Sequence, residues 1–135
     1  MSLEMLKAIA TTVVLVLALV QVLWMAQVRG YVRLLPFEKR RLRQWHRWGG
    51  IVVLVMALAL AVTCVSGLGY RLYSTRAQAH AAMGALAILV LLLKVAIANR
   101  FRRYLRFTLA LGTAAGLLIL GTFVASALWY FVRVA

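Results

Sequence analysis

Acidic residues are almost missing from this sequence of 135 residues. Glu4 and Glu38 stand against 16 lysines and arginines, which leaves a net charge of +14. Neither glutamate lies inside a long apolar run. Proton relays and cation pathways inside membranes are built on such intramembrane carboxylates. The scarcity of acids therefore argues against a carboxylate proton relay or a cation transporter.

Cysteine and proline are also scarce. The single cysteine, Cys64, excludes an internal disulfide and any CxxC metal or haem-attachment motif. The single proline, Pro36, lies between apolar runs rather than within one. The sequence contains no nucleophile–base pair, phosphate-binding loop or zinc-ligand spacing. We therefore predict a protein that is not an enzyme, with no catalytic residue and no metal site.

Apolar residues dominate what is present. They make up 66% of the chain against 13% charged residues, whereas a soluble domain is roughly half apolar and a quarter charged. A run of about 20 apolar residues crosses a hydrocarbon core about 30 Å thick. The sequence predicts an all-α integral membrane four-helix bundle forming one domain, 1–135, with helices at about 8–28, 45–68, 77–99 and 107–132.

The basic residues gather in two of the three connections. Seven lie between Arg29 and Arg47 and four between Arg100 and Arg106, whereas the second connection holds two and each chain end one. Positively charged loops stay in the cytoplasm. The pattern therefore predicts an up-down topology with both termini outside. It also argues against nucleic acid as a partner, because membrane topology accounts for the charge.

The first basic connection is expected to lie at the headgroup surface, where cations attract anionic lipid. Docking of a partner protein is the alternative for such a run of charge. The residues predicted to make these lipid or partner contacts are Arg40, Arg41, Arg43, His46, Arg47 and Trp48.

The two histidines, His46 and His80, each lie near the start of a predicted helix. Because these consecutive helices run in opposite directions, the two residues are expected near opposite faces of the membrane. At a rise of 1.5 Å per residue their depths differ by roughly 25 Å, so they are not expected to ligate one haem iron. His46 is interpreted as an interfacial anchor. For His80 two interpretations stay open, a neutral histidine hydrogen-bonded within the bundle and a metal ligand.

The residues expected opposite His80 on the second helix are Thr63 and Cys64. The threonine hydroxyl is a candidate hydrogen-bond partner for His80 across the helices. Cys64 is a candidate thiolate ligand, although a small buried apolar role suits it better. These three residues form the predicted cofactor-binding set, should a cofactor be bound.

Two further features concern the helix interiors. Gly112 and Gly116 share a face of the last helix, and such small residues let another helix approach closely. Packing within the bundle and contact with a separate membrane subunit are the two interpretations. Lys94 lies near the end of the third helix and is expected to snorkel to the cytoplasmic interface.

The order of several short motifs resembles a family of small bacterial four-helix membrane proteins, catalogued as a domain of unknown function and loosely similar to b-type cytochromes of the cytochrome b-561 and ferric-reductase kind. These motifs are His46-Arg47-Trp48-Gly49-Gly50, His80 followed by Gly84, Leu92-Leu93-Lys94-Val95 and Ser126-Ala127-Leu128-Trp129-Tyr130-Phe131. The resemblance implies a multi-pass protein of the bacterial inner membrane. It also implies a haem clamp between a histidine near the outer end of helix two and His80, and Thr63 replaces the first of these.

The predicted function is a non-catalytic accessory transmembrane subunit of a membrane electron-transfer complex, quinone-linked and respiratory or photosynthetic. Its expected partners are anionic lipid and other subunits of that complex, and no cofactor is expected. The alternative is a b-type haem electron carrier with His80 as axial ligand. A component of a transporter or channel is a third interpretation, which the unbroken apolar runs disfavour.

Overall fold

The computed structural model describes residues 2–33, 36–68 and 75–134, with the side chains of 65–68 and 77 excepted. Within these ranges the regular elements are all helical, which confirms the predicted fold class. The elements are α1 (Leu3–Val28), α2 (Lys39–Leu68), α3 (Thr75–Asn99), a short 3₁₀ helix (Arg102–Phe107), α4 (Thr108–Phe123), a π-helical segment (Val124–Leu128) and α5 (Trp129–Val134).

Two helices begin earlier than hydropathy predicted. Ser2 caps α1, with its hydroxyl accepting a hydrogen bond from the Met5 amide at 3.2 Å. The α2 helix begins at Lys39 rather than at Trp45, and its first turn is closed by the Leu42 amide donating to the Glu38 carbonyl at 3.1 Å. Lysine, arginine, leucine and glutamine are good helix formers. The end of the basic connection is therefore helical, although its charge marked it as a loop.

Small and branched apolar residues form the core between the helices. The core contains Val14, Leu15, Ala18, Val53, Leu54, Ala87, Leu91, Ala115 and Ile119. The α3 and α4 helices pack most extensively, α1 packs on α2, and α2 touches α3 least among neighbouring helices. The bundle is thus two helix pairs whose α2–α3 seam is the looser one.

The closest approach that a glycine permits between α3 and α4 is at Gly121. A Cβ placed there would lie 2.6 Å from Met83 Sδ. A Cβ on Gly112 would meet the Lys94 side chain instead, with its nearest atom at 3.2 Å, and one on Gly116 would meet nothing within 4 Å. Gly112 thus contacts a side chain of α3, whereas Gly116 faces a cavity, and the choice between packing within the bundle and contact with a separate subunit stays a prediction.

The last predicted helix is continuous but not uniform. Its π-helical segment, Val124–Leu128, joins α4 to α5. Such segments are wider than an α-helix and often occur at functional sites. Two carbonyls beside it accept side-chain hydrogen bonds, from Ser126 Oγ to Thr122 at 2.7 Å and from Arg76 Nη1 to Ala125 at 2.7 Å. Side chains thereby satisfy backbone groups of the irregular turn.

Among the described residues, four stretches are long and apolar enough to cross a membrane, namely Leu3–Val28, Lys39–Cys64, Gln78–Asn99 and Arg102–Val134. Large apolar side chains point outward along them, for example Leu19 at 58%, Val62 at 66% and Leu117 at 65% exposure. Lipid covers such side chains in a membrane protein. The helices therefore support a multi-pass membrane protein.

Candidate functional site

A cavity of about 470 Å³ opens between the four long helices at the end that carries the 29–38 and 100–106 connections. We call this end of the molecule the basic end. Ala18 of α1 and Arg29, the C-cap residue of that helix, both line the cavity. Their separation gives it a depth of about 16 Å at 1.5 Å per residue. Its volume is within the roughly 300–1,000 Å³ of small-molecule pockets.

The floor and the mouth of this cavity differ in chemistry. Apolar side chains line the deeper part, including Val53, Leu91 and Ile119. Arg29, Arg47 and Asn99 lie at the mouth. At the mouth, Arg47 Nη2 donates to Asn99 Oδ1 at 2.9 Å and so joins α2 to α3. The cavity therefore has the profile of a site for a molecule with a polar head and an apolar body.

His46 points into the bundle. It follows the fully buried Leu42 by one helical turn, so the inward face of α2 begins before the apolar run. Its Nδ1 lies 3.2 Å from the Gln21 carbonyl of α1. A carbonyl only accepts, so Nδ1 donates and Nε2 is free to accept a hydrogen bond. His46 therefore makes a contact between helices, and its role as an interfacial anchor stays a prediction.

The Lys94 side chain reaches the Nε2 atom of His46. Its Nζ lies 3.4 Å from His46 Nε2, within the cavity and against Gly112. The vacant side of Gly112 leaves room for the Lys94 side chain in the cavity, and its snorkelling to the cytoplasmic interface stays a prediction. Both acids lie outside the cavity, Glu4 against Lys7 near the start of α1 and Glu38 just before α2. No carboxylate is among the described residues that line it.

Gln21 is the buried polar residue of this region, at 8% exposure. Its Oε1 has no hydrogen-bond partner among the described residues. A Cβ on Gly49 would overlap the Gln21 side-chain amide, which therefore fills the space that this glycine leaves open. Gln21 is not among the residues that the sequence predicted for a site, although Gln21 and Gln27 are the two polar amides in the first apolar run, and such residues commonly face inward.

The remaining residues of the predicted lipid or partner contact stay on the surface. Arg40, Arg41, Arg43 and Arg47 are exposed, and Trp48 is 62% exposed. These side chains are thus available for the contacts that the sequence predicted. His46 is the member of the set that the helix turns inward.

His80 lies toward the opposite end of the bundle. Its Nδ1 is 3.3 Å from the Thr122 carbonyl of α4 and, by the same reasoning, donates to it. Lys94, which contacts His46, is 14 residues further along α3, a separation of about 21 Å along the helix axis. The two histidines are therefore too far apart to clasp one porphyrin within this chain.

Thr63 is not the partner of His80. Its Oγ1 donates to the Ala59 carbonyl of its own helix at 2.8 Å, and it lines a shallow groove between α1 and α2. The expectation of a Thr63–His80 hydrogen bond is wrong, because His80 faces α4. Cys64 is a free, partly buried thiol. Among the described residues no group of three or more histidine, cysteine, aspartate or glutamate side chains is placed to hold a metal ion.

The whole chain, residues 1–135, matches a family of unknown function (DUF6529), and the protein belongs to that family. The match is consistent with the small four-helix family that the sequence motifs resemble. It does not extend to b-type cytochromes, so that part of the resemblance stays a prediction. No similar curated protein and no similar solved structure was found.

Proposed function

We propose that this protein is a non-catalytic accessory transmembrane subunit of a membrane electron-transfer assembly. Its own contribution is to hold an amphipathic molecule in the cavity at the basic end. The head of that molecule lies against Lys94 and His46, and its apolar body lies along the floor. Anchoring such a molecule ties the looser α2–α3 seam together and fixes the shape that neighbouring subunits contact.

The observation that carries this proposal is the contact between Lys94 and His46 beside the apolar floor of the cavity. An ammonium group within a membrane-spanning segment is costly unless it is paired, and such groups commonly mark binding sites. His46 supplies one acceptor at 3.4 Å, while an ammonium group has three donors. Two donors are therefore left for a ligand.

The assembly itself is supported by the motif order around His46 and His80 and by the outward apolar side chains. Helices in membranes associate through close packing and not through a hydrophobic driving force. Exposed, uncharged faces such as the one around Leu117, at 65% exposure, suit contact with either lipid or another subunit.

Co-purification tests both parts of the proposal. The tagged native protein is extracted from its own membranes in polymer-bounded nanodiscs, and its partners are identified by mass spectrometry. We expect subunits of a membrane electron-transfer complex and, after organic extraction, an amphipathic molecule in stoichiometric amount. Isolation of the chain alone contradicts the role as a subunit, and the absence of any such molecule contradicts the binding role.

A second candidate function is a b-type electron carrier, and one observation favours it. Because His80 Nδ1 donates to the Thr122 carbonyl, its Nε2 carries the lone pair that a haem iron needs, and metal-binding histidines are commonly oriented in this way. In that case His80 would be the axial ligand, and a haem would supply one-electron chemistry.

A reduced-minus-oxidised spectrum of the purified protein tests this second candidate. A haem b band that disappears in His80→Ala and persists in His46→Ala would establish it in place of the accessory role. A colourless preparation from haem-replete cells would exclude it.

A further inference from the structure

We infer that the molecule held in the cavity is an anionic phospholipid, with its phosphate bound between Lys94 and Arg47. This inference rests on the proposed binding role and adds the chemical class of the ligand. It follows from the charge of the cavity, from the donors left open there and from the direction in which the cavity runs.

The charge of the cavity is positive and not compensated by the protein. Arg29, Arg47 and Lys94 line it from three different parts of the bundle, and no carboxylate is among its described lining residues. Lys94 is partly buried, whereas Arg29 and Arg47 are exposed at the mouth. Like charges that line one cavity repel one another, and an anion between them relieves that repulsion. An anionic ligand therefore suits the cavity better than a neutral molecule such as a quinone.

The donors that remain open suit a phosphate group. Arg47 uses Nη2 for Asn99, and a guanidinium group has five N–H donors in all. Lys94 uses at most one of three for His46. Phosphate oxygens accept several charge-assisted hydrogen bonds at once, which are stronger than those between neutral groups. The site thus offers a cluster of donors from α2 and α3.

The shape of the cavity favours a lipid over a free phosphate ion. Its floor is formed by apolar side chains, among them Val53, Leu91 and Ile119, and it extends parallel to the helices for about 16 Å from its mouth. Acyl chains run in the same direction in a bilayer. A free ion would occupy the mouth and leave the apolar floor without an occupant.

The first test measures lipid binding to the purified, delipidated full-length protein by native mass spectrometry and by thermal unfolding. The probes are phosphatidylglycerol, phosphatidylcholine and inorganic phosphate. Both lipids carry a phosphate, but the choline group of phosphatidylcholine adds a positive charge that the cations of the cavity repel. We therefore expect phosphatidylglycerol to bind about tenfold more tightly than phosphatidylcholine. It should also raise the unfolding temperature, because a ligand that binds only the folded state stabilises it. Inorganic phosphate should neither bind tightly nor raise the unfolding temperature.

Matched variants locate the site. Lys94→Met should remove most of the preference for phosphatidylglycerol, and Lys94→Arg should keep it. Lys39→Met makes the same change at an exposed lysine and should leave the preference intact. Equal losses in Lys39→Met and Lys94→Met would mean that surface charge binds the lipid, and this would overturn the inference.

A second pair of variants tests the volume of the cavity without touching its charge. A side chain at Gly116 would enter the cavity, and one at Gly84 would also meet nothing within 4 Å, but Gly84 does not line the cavity. Gly116→Leu should abolish tight lipid binding, and Gly84→Leu should preserve it. Unchanged binding in Gly116→Leu would overturn the inference.

The remaining outcomes separate this inference from the proposed function. Equal affinity for the two lipids, or equal stabilisation by inorganic phosphate, would overturn the inference. If the native protein nevertheless carries a neutral amphipathic molecule after extraction, the binding role stands with another ligand. If it carries none, the proposed binding role fails as well.

Discussion

Single residues decide which side of α2 faces the bundle. Leu42, His46, Gly49 and Val53 follow one another at spacings of four, three and four, which places them on one face of a helix. Leu42 is fully buried and Val53 is 3% exposed. The pattern starts among arginines, where hydropathy gives no signal, so it becomes readable only when the helix is known to begin at Lys39.

Leu42 provides a prediction about the basic connection. Leu42→Ala should lower the free energy of unfolding by about 2 kcal/mol or more, because it leaves a cavity in a packed site. Thermal unfolding in detergent measures the change. Leu105→Ala, at a residue that is 46% exposed in the other basic segment, should have little effect. Equal effects would mean that the start of α2 lies free at the headgroup surface.

Adjacent glycines on α2 provide a second prediction. A Cβ added at Gly50 would meet nothing within 4 Å, whereas one added at Gly49 would meet the Gln21 amide. Gly50→Ala should stabilise the protein by roughly 0.5–1 kcal/mol, because alanine favours the helix. Gly49→Ala should not stabilise the protein in this way, because the Gln21 side chain must move into the cavity to make room for the added Cβ. Thermal unfolding of the two variants compares them directly, and equal stabilisation would show that Gln21 does not pack on Gly49.

Composition predicted the positions of the membrane-spanning helices better than it predicted the contacts of individual side chains. The four long apolar runs were correctly assigned because membrane thickness fixes their length. The packing between them could not be read in the same way, as Gly112, Gly116 and Gly121 show. All three are small residues on one helix, but α3 approaches Gly121 through Met83 and Gly112 through Lys94, while Gly116 has no neighbour within 4 Å. A sequence shows which residues are small, while the neighbouring helix decides which of them is used.

The π-helical segment yields a prediction for His80. Its ring donates to the Thr122 carbonyl at 3.3 Å, next to Ser126 Oγ at 2.7 Å. His80→Phe removes one hydrogen-bond donor to a carbonyl beside the π-helical segment. The free energy of unfolding should fall by about 0.5–1.5 kcal/mol. Amide hydrogen exchange should become faster across Val124–Leu128 and its flanks, while the α1 amides keep their protection.

The matched control for this prediction is the other histidine. His46→Phe also removes a donor to a backbone carbonyl, that of Gln21, but it lies at the basic end. It should leave exchange in the π-helical segment unchanged. If His46→Phe and His80→Phe gave the same exchange profile, the role of His80 as a local support of the wide turn would be contradicted.

The whole molecule is asymmetric along its long axis. The cavity, its cations and the exposed arginines at the start of α2 share the basic end. Arginines lie over aromatic rings at both ends, for example Arg103 at 4.8 Å from Tyr104 at the basic end and Arg133 at 4.9 Å from Trp129 at the other. Aromatic rings and cations are both favoured at the membrane interface. The sequence indicated this asymmetry through its charges, because charge in the connections depends on topology and not on packing.

Orientation in the membrane is the last prediction and follows from this asymmetry. Positive connections stay in the cytoplasm, so the basic end should face inward and both termini outward. In a Cys64→Ser background, single cysteines are placed at Ser2, Glu38, Arg103 and Arg133. A membrane-impermeant maleimide added to spheroplasts should label Ser2→Cys and Arg133→Cys, and should label Glu38→Cys and Arg103→Cys only after the membrane is opened. The reverse pattern would place the basic end and its cavity on the outer side and would contradict the predicted topology.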